Sequence, residues 1–133
     1  MNTPPDNFSN SKPAVAIGHV ELLVSNVRQA VDFFMKLGIR HIHQDPDFAV
    51  LELRGGTHLV LEEPEPGVTI PEGQTPPFDL MVDDIQATHG ECENLGMKPS
   101  VIESGRIHDN FYLDGPDGYK IRITSSHTSG RPV

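Results

Sequence analysis

The 133-residue chain has a single cysteine, ten basic residues against nineteen acidic ones, and no apolar run of membrane-spanning length. Each shortage removes a class of function. Cys92 cannot close an internal disulfide, so nothing in the sequence asks for an oxidising compartment. A formal charge of −9 offers no basic face to a phosphate backbone, which argues against a nucleic-acid partner. A bilayer span takes about 20 consecutive apolar residues, and the first dozen residues are polar and proline-containing rather than signal-like. The expectation is a cytoplasmic protein with no membrane partner. Hydrophobic residues at 36% suit one compact domain, or two half-domains sharing a core.

What the sequence does contain is one unit written twice. Val24 matches Val82, Val27 matches Ile85, and Leu37-Gly38-Ile39 matches Leu95-Gly96-Met97, each pair 58 positions apart. In the first unit Ile17 to Val24 alternates like a half-buried strand, with Val20, Leu22 and Val24 on one side. Ser25 or Asn26 can cap a helix carrying Val27, Ala30, Val31, Phe34 and Leu37 at helical spacing, and Gly38 sits at its stop. Arg40 to Asp45, Phe48 to Arg54 and Thr57 to Glu62 read as strands, the last two joined at Gly55-Gly56.

The second unit repeats this order. Phe78 to Val82 is a strand, Asp83 or Asp84 a cap, and Ile85, Thr88, Cys92 and Leu95 a helical stripe. Ser100 to Ser104, His108 to Leu113 and Tyr119 to Thr124 follow as strands, with a turn over Asp114-Gly115-Pro116-Asp117-Gly118. The predicted fold is α+β: two tandem βαβββ modules, residues 15–62 and 77–125, whose curved mixed sheets form an open cleft with helices on the outer faces. A proline-rich connector spans 63–76, as a spacer or a flap, and residues 1–14 and 126–133 read as flexible tails.

The first strand with its histidine, the Val82-Asp83-Asp84-Ile85 step and the Asp114-Gly115-Pro116-Asp117-Gly118 turn resemble the vicinal oxygen chelate superfamily. That group includes glyoxalase I, extradiol dioxygenases and bleomycin resistance proteins. The resemblance implies a divalent ion held by His and Glu from the first and last strand of each module. It puts His19 and Glu62 at two of these positions, and strand parity places both on the face away from the helix. The second module departs from the pattern. His19 matches Pro77, which has no donor, and anchoring on Gly55 and Gly115 matches Glu62 to Arg122. Two like charges 4 Å apart oppose one another by about 4 kcal/mol at an effective dielectric near 20. An arginine there therefore works against a bound cation.

Two functional readings follow. In the first, a small-molecule-binding protein with a degenerate metal site and no cofactor takes a small oxygen-rich or anionic ligand. His19, Glu21, His58, Asp79 and Arg122 would contact it, and Arg122 either receives its anionic group or pairs with Glu62. In the second, a divalent metal (Zn, Ni, Mn or Fe) on His19 and Glu62 serves a lyase, isomerase or dioxygenase, with Glu62 or Glu21 as ligand or general base. Asp79, Glu21 and His108 are the substitute ligands such a site could recruit. The resemblance also implies a homodimer, in some relatives by exchange of half-domains.

Other residues have plainer readings. His19 by itself fits a strand histidine satisfied by Glu21, Glu62 or water. His41 and His43 share a strand face by alternation and fit a solvated strand near Asp45 and Asp47. His89 takes the inward slot of Val31 and reads as a packed, hydrogen-bonded core histidine; Cys92 takes that of Phe34. Arg106 reads as a loop cation, and Gly55-Gly56 as a turn rather than a phosphate cradle because a strand follows it.

Overall fold

The computed structural model describes residues 11–133, so the first ten positions of the expected N-terminal tail lie outside the described residues. The chain forms β1 (His19–Leu23), α1 (Val27–Lys36), β2 (Arg40–Gln44), β3 (Phe48–Glu52) and β4 (His58–Glu62). It then forms β5 (Leu80–Val82), α2 (Ile85–Asn94), β6 (Glu103–Ser104), β7 (Asp109–Asp114) and β8 (Lys120–Ser125). Each half builds its own four-stranded sheet, in the orders β1-β4-β3-β2 and β5-β8-β7-β6. The first strand lies parallel to the last and the other neighbours pair antiparallel. The helix supplies the crossover that a parallel pair requires. This is an α+β fold of two βαβββ modules, with two mixed sheets that do not close on each other. No helix among the described residues is long and apolar enough to cross a membrane.

The repeat is carried into atomic detail. Asn26 caps α1 by accepting from the Gln29 amide at 3.0 Å, and Asp84, 58 positions on, caps α2 by accepting from Ala87 at 3.0 Å. Both helices end on a glycine with positive φ, Gly38 at 89° and Gly96 at 74°. Their inner faces differ. α1 buries Val27, Ala30, Val31 and Phe34, whereas α2 buries only Ile85 and Cys92. The weaker stripe is supplemented by His89, whose Nε2 donates to the Ser100 carbonyl at 2.8 Å and whose ring meets Phe111 edge-on at 5.0 Å.

Strand lengths depart from the expectation on the second module's outer edge. β6 has two residues where Ser100 to Ser104 was expected as a strand. The Ser100 carbonyl is turned to His89, and its hydroxyl accepts the Tyr112 amide at 2.8 Å in place of a ladder carbonyl. β5 is likewise cut to three residues behind Pro76 and Pro77.

The two modules share one core, which runs from Leu22 and Phe34 to Phe111 and Ile123. Polar ties reinforce it where the end of β1 meets the start of β8. The Ser25 amide and hydroxyl donate to the two Asp117 oxygens at 2.8 and 2.5 Å, and the Tyr119 hydroxyl donates to the Leu23 carbonyl at 2.8 Å. The connector bonds to the same corner, with Gly73 donating to the Gly118 carbonyl and Lys120 to that of Gln74. Burial, and secondarily the Asp117 carboxylate, push the Tyr119 phenol above its ordinary range, against a smaller opposing effect of Gln74.

A phenol that holds its proton more tightly when folded stabilises the fold below pH 10, and this contribution disappears as pH rises through the folded value. Urea titrations should therefore show stability falling above about pH 10, and a Tyr119→Phe variant should lack this alkaline component. At pH 7 the same variant should lose about 1 kcal/mol, for the donor taken from Leu23, at unchanged m.

Candidate functional site

Alternation along the strands decides what reaches each sheet's open face. Leu22 and Val24 are buried against α1, while His19, Glu21 and Leu23 are exposed. In β4, Leu59 and Leu61 are buried, and His58, Val60 and Glu62 point the other way. The register then arranges this face in rows. His19 lies opposite His58, and His58 opposite Glu52. Glu21 lies opposite Val60, and Leu23 opposite Glu62.

The first row is polar across the whole sheet. The His19 and His58 rings meet edge-on with centroids 5.8 Å apart. His58 Nε2 lies 3.3 Å from Glu52 Oε2, and Glu52 Oε1 accepts from the Arg40 guanidinium at 2.8 Å. Glu52 was not among the residues singled out from the sequence. Its parity in Phe48-Ala49-Val50-Leu51-Glu52 was readable, but its place beside His58 depends on the register.

His19 and Glu62 share a face but not a neighbourhood. Glu62 stands opposite Leu23, four residues along β1 from His19, which is about 13 Å at the usual rise of a parallel strand. His58 Nε2, beside His19, is taken up by Glu52. Among the described residues no group of three or more His, Cys, Asp or Glu is placed to hold a metal ion. The donor set implied by the superfamily does not fit a common ion in this arrangement.

The second module corrects one correspondence. Leu22 pairs with Leu61 as Leu80 pairs with Ile123, so β4 and β8 correspond with a shift of 62 rather than 60. The counterpart of Glu62 is therefore Thr124, and Arg122 corresponds to Val60. The glycines misled because the left-handed position that Gly55 occupies (φ 83°) is taken by Asp117 (φ 55°), not by Gly115. A shift of two residues preserves strand parity, so Arg122 still lies on the open face.

On that face Arg122 is flanked by Tyr112 across β7 and by Asp79, the residue preceding β5. Asp79 accepts a hydrogen bond from buried Thr124 Oγ1 at 3.3 Å. Arg122 Nε is buried with no hydrogen-bond partner, and among the described residues the guanidinium has no ion-pair partner. No Arg122–Glu62 pair forms. His108, just ahead of β7, has its ring 5.9 Å from that of His127 and its Nδ1 buried without a partner.

The remaining readings are resolved individually. A bulge between His41 and His43 sets His41 opposite Leu51 and His43 opposite Val50, so the two imidazoles point to opposite faces rather than one. His43 pairs with Asp45 at 3.1 Å. Cys92 is buried, and burial, followed by Glu91, raises its thiol pKa, the opposite of what a nucleophile needs. A cavity of about 420 Å³ lies between the modules, and of the sequence-derived site residues Asp79 alone borders it.

Because four residues separate them, His19 and Glu62 should act independently on any metal uptake. In calorimetric titrations of tag-free protein with Zn²⁺, Glu62→Gln should leave any His19-dependent affinity within about twofold of the parent. A loss of roughly tenfold or more would show that the two share an ion.

The fold is widely shared. A lactoylglutathione lyase from Agrobacterium tumefaciens superposes with a TM-score of 0.71 at 16% identity, over 90% of this chain and 99% of that one. A bleomycin resistance determinant encoded on the transposon Tn5 gives 0.66 at 19% identity, over 84% and 98%. TnmS3, an antibiotic binding protein from Streptomyces sp. CB03234, gives 0.71 at 20% identity, over 86% and 98%. At these identities the likeness establishes the fold alone. No curated protein sequence matches the chain significantly. The family model, however, matches residues 16–123, nearly the whole of both modules. With its two βαβββ halves and their mixed sheets, the chain belongs to the Glyoxalase/Bleomycin resistance protein/Dioxygenase superfamily.

Proposed function

We propose that this protein binds a small oxygen-rich anion on the open faces of its sheets, with Arg122 receiving the anionic group and no metal taking part. The observation that carries this reading is the state of Arg122. A buried donor without a partner costs about 1–3 kcal/mol, and this one belongs to a planar fork suited to a carboxylate or phosphate. Asp79 does not neutralise it by direct contact, since among the described residues no ion pair joins the two. A ligand oxyanion would satisfy the guanidinium, with Tyr112 beside it as a further contact.

In this proposal His19, Glu21 and His58 supply polar contacts from the first sheet, and the active form is a homodimer. A bleomycin resistance determinant and an antibiotic binding protein with this fold show that it serves binding as well as catalysis, which is compatible with the reading. The misfit of His19 and Glu62 to a single ion points the same way.

The test is thermal stabilisation of the full chain by malonate, phosphonoacetate and inorganic phosphate. A ligand present at about 100 times its Kd stabilises by roughly 2.7 kcal/mol, a shift of several degrees. At least one compound should give such a shift, Arg122→Met should abolish it, and Arg122→Lys should retain part. If no shift depends on Arg122, the proposal is wrong.

A further inference from the structure

The cavity between the modules is lined mainly by residues of the helix-facing parity, opposite to that of Arg122, with Asp79 and Met81 of Arg122's parity at its edge. Val20, Leu80 and Ile123 contribute to its wall, and all three have the parity that faces the helices. Leu37, Leu53 and Phe78 extend the apolar lining. A volume of about 420 Å³ is within the range of small-molecule sites, roughly 300–1,000 Å³. A ligand with an apolar body in this open, largely apolar cleft would remove its walls from water, which favours binding.

The polar wall residues differ in availability. Thr57 Oγ1 is committed to the Ile17 carbonyl at 2.6 Å. Asp79, the one acidic side chain on the wall among the described residues, is bonded to Thr124 on the open-face side. Arg54 is the one cationic residue on the wall, and its two terminal nitrogens each lie 3.1 Å from an Asp83 oxygen. This fork-to-fork pair joins the first module to the second. The Arg54 side chain is 52% exposed and that of Asp83 75%, so the pair is solvent-screened and easily exchanged. A carboxylate at the end of an apolar body in the cavity can replace Asp83 on the same guanidinium fork.

We infer that the inter-module cavity is a second ligand site, specific for a medium-chain carboxylate whose tail packs against Val20, Leu53 and Ile123 and whose head pairs with Arg54. The inference does not depend on the Arg122 site, since Arg122 is not among the residues lining this cavity.

The experiment is a titration of the methyl-labelled full chain with octanoate and, separately, 1-octanol, followed by ¹H–¹³C spectra. Octanoate should produce saturable shifts concentrated in the Val20, Leu53, Leu80 and Ile123 methyls. Arg54→Met should weaken octanoate by about two- to fivefold, the order for loss of a half-exposed charge pair, and leave 1-octanol unchanged. Val20→Phe, which fills the cavity, should remove both, and Arg122→Met should change neither. Should Val20→Phe not fold, the Arg54→Met comparison decides. The inference is overturned if octanoate shifts these methyls without saturation or not at all. It is also overturned if Arg54→Met binds octanoate as tightly as the parent, or if Arg122→Met abolishes octanoate binding.

Discussion

The parallel register between first and last strand in each module governs what the open faces can do. With side chains alternating at period two, parity alone says which residues share a face, but only register says which are neighbours. Setting His19 opposite His58 assembles the chain His19, His58, Glu52, Arg40 across four strands. The same register sends Glu62 to the far end of β1, opposite Leu23. In the second module it places Arg122 between Asp79 and Tyr112, and leaves Thr124 where a carboxylate would correspond to Glu62.

The modules are similar in backbone and different in chemistry. The first has an apolar helix stripe and a polar outer row whose charges are internally matched. The second has a thinner stripe, completed by a hydrogen-bonded histidine and a buried thiol, and an arginine whose buried Nε has no partner among the described residues. Where the halves meet, the polar ties that reinforce the shared core are few and local among the described residues, at Ser25 with Asp117, Tyr119 with Leu23, and Arg54 with Asp83. Between those ties the junction stays partly unfilled, which leaves room for the cavity.

Much of the architecture was readable because the signals are local. The 58-residue repeat, the Asn26 and Asp84 caps, the Gly38 and Gly96 stops and the strand parities each rest on a few adjacent residues, and the structure reproduces them. The errors came where one residue type stands in for another. Asp117 holds the left-handed turn position expected of a glycine, which displaced the match of Glu62 by two residues. The bulge separating His41 from His43, and the Ser100 hydroxyl that shortens β6 at its start, involve contacts with a neighbouring strand.

The sequence by itself determined the duplication, the helix boundaries and the face to which each strand residue belongs, because caps, glycine stops and alternation act within a few residues. Tertiary structure alone decided that His19 and Glu62 stand apart, that Glu52 joins His58, that Arg122 Nε is left without a partner among the described residues, and that a cavity opens beside Arg54. Those outcomes depend on strand register and on how two modules dock. Both are set by hydrogen bonds and packing between segments tens of residues apart, which no local pattern records.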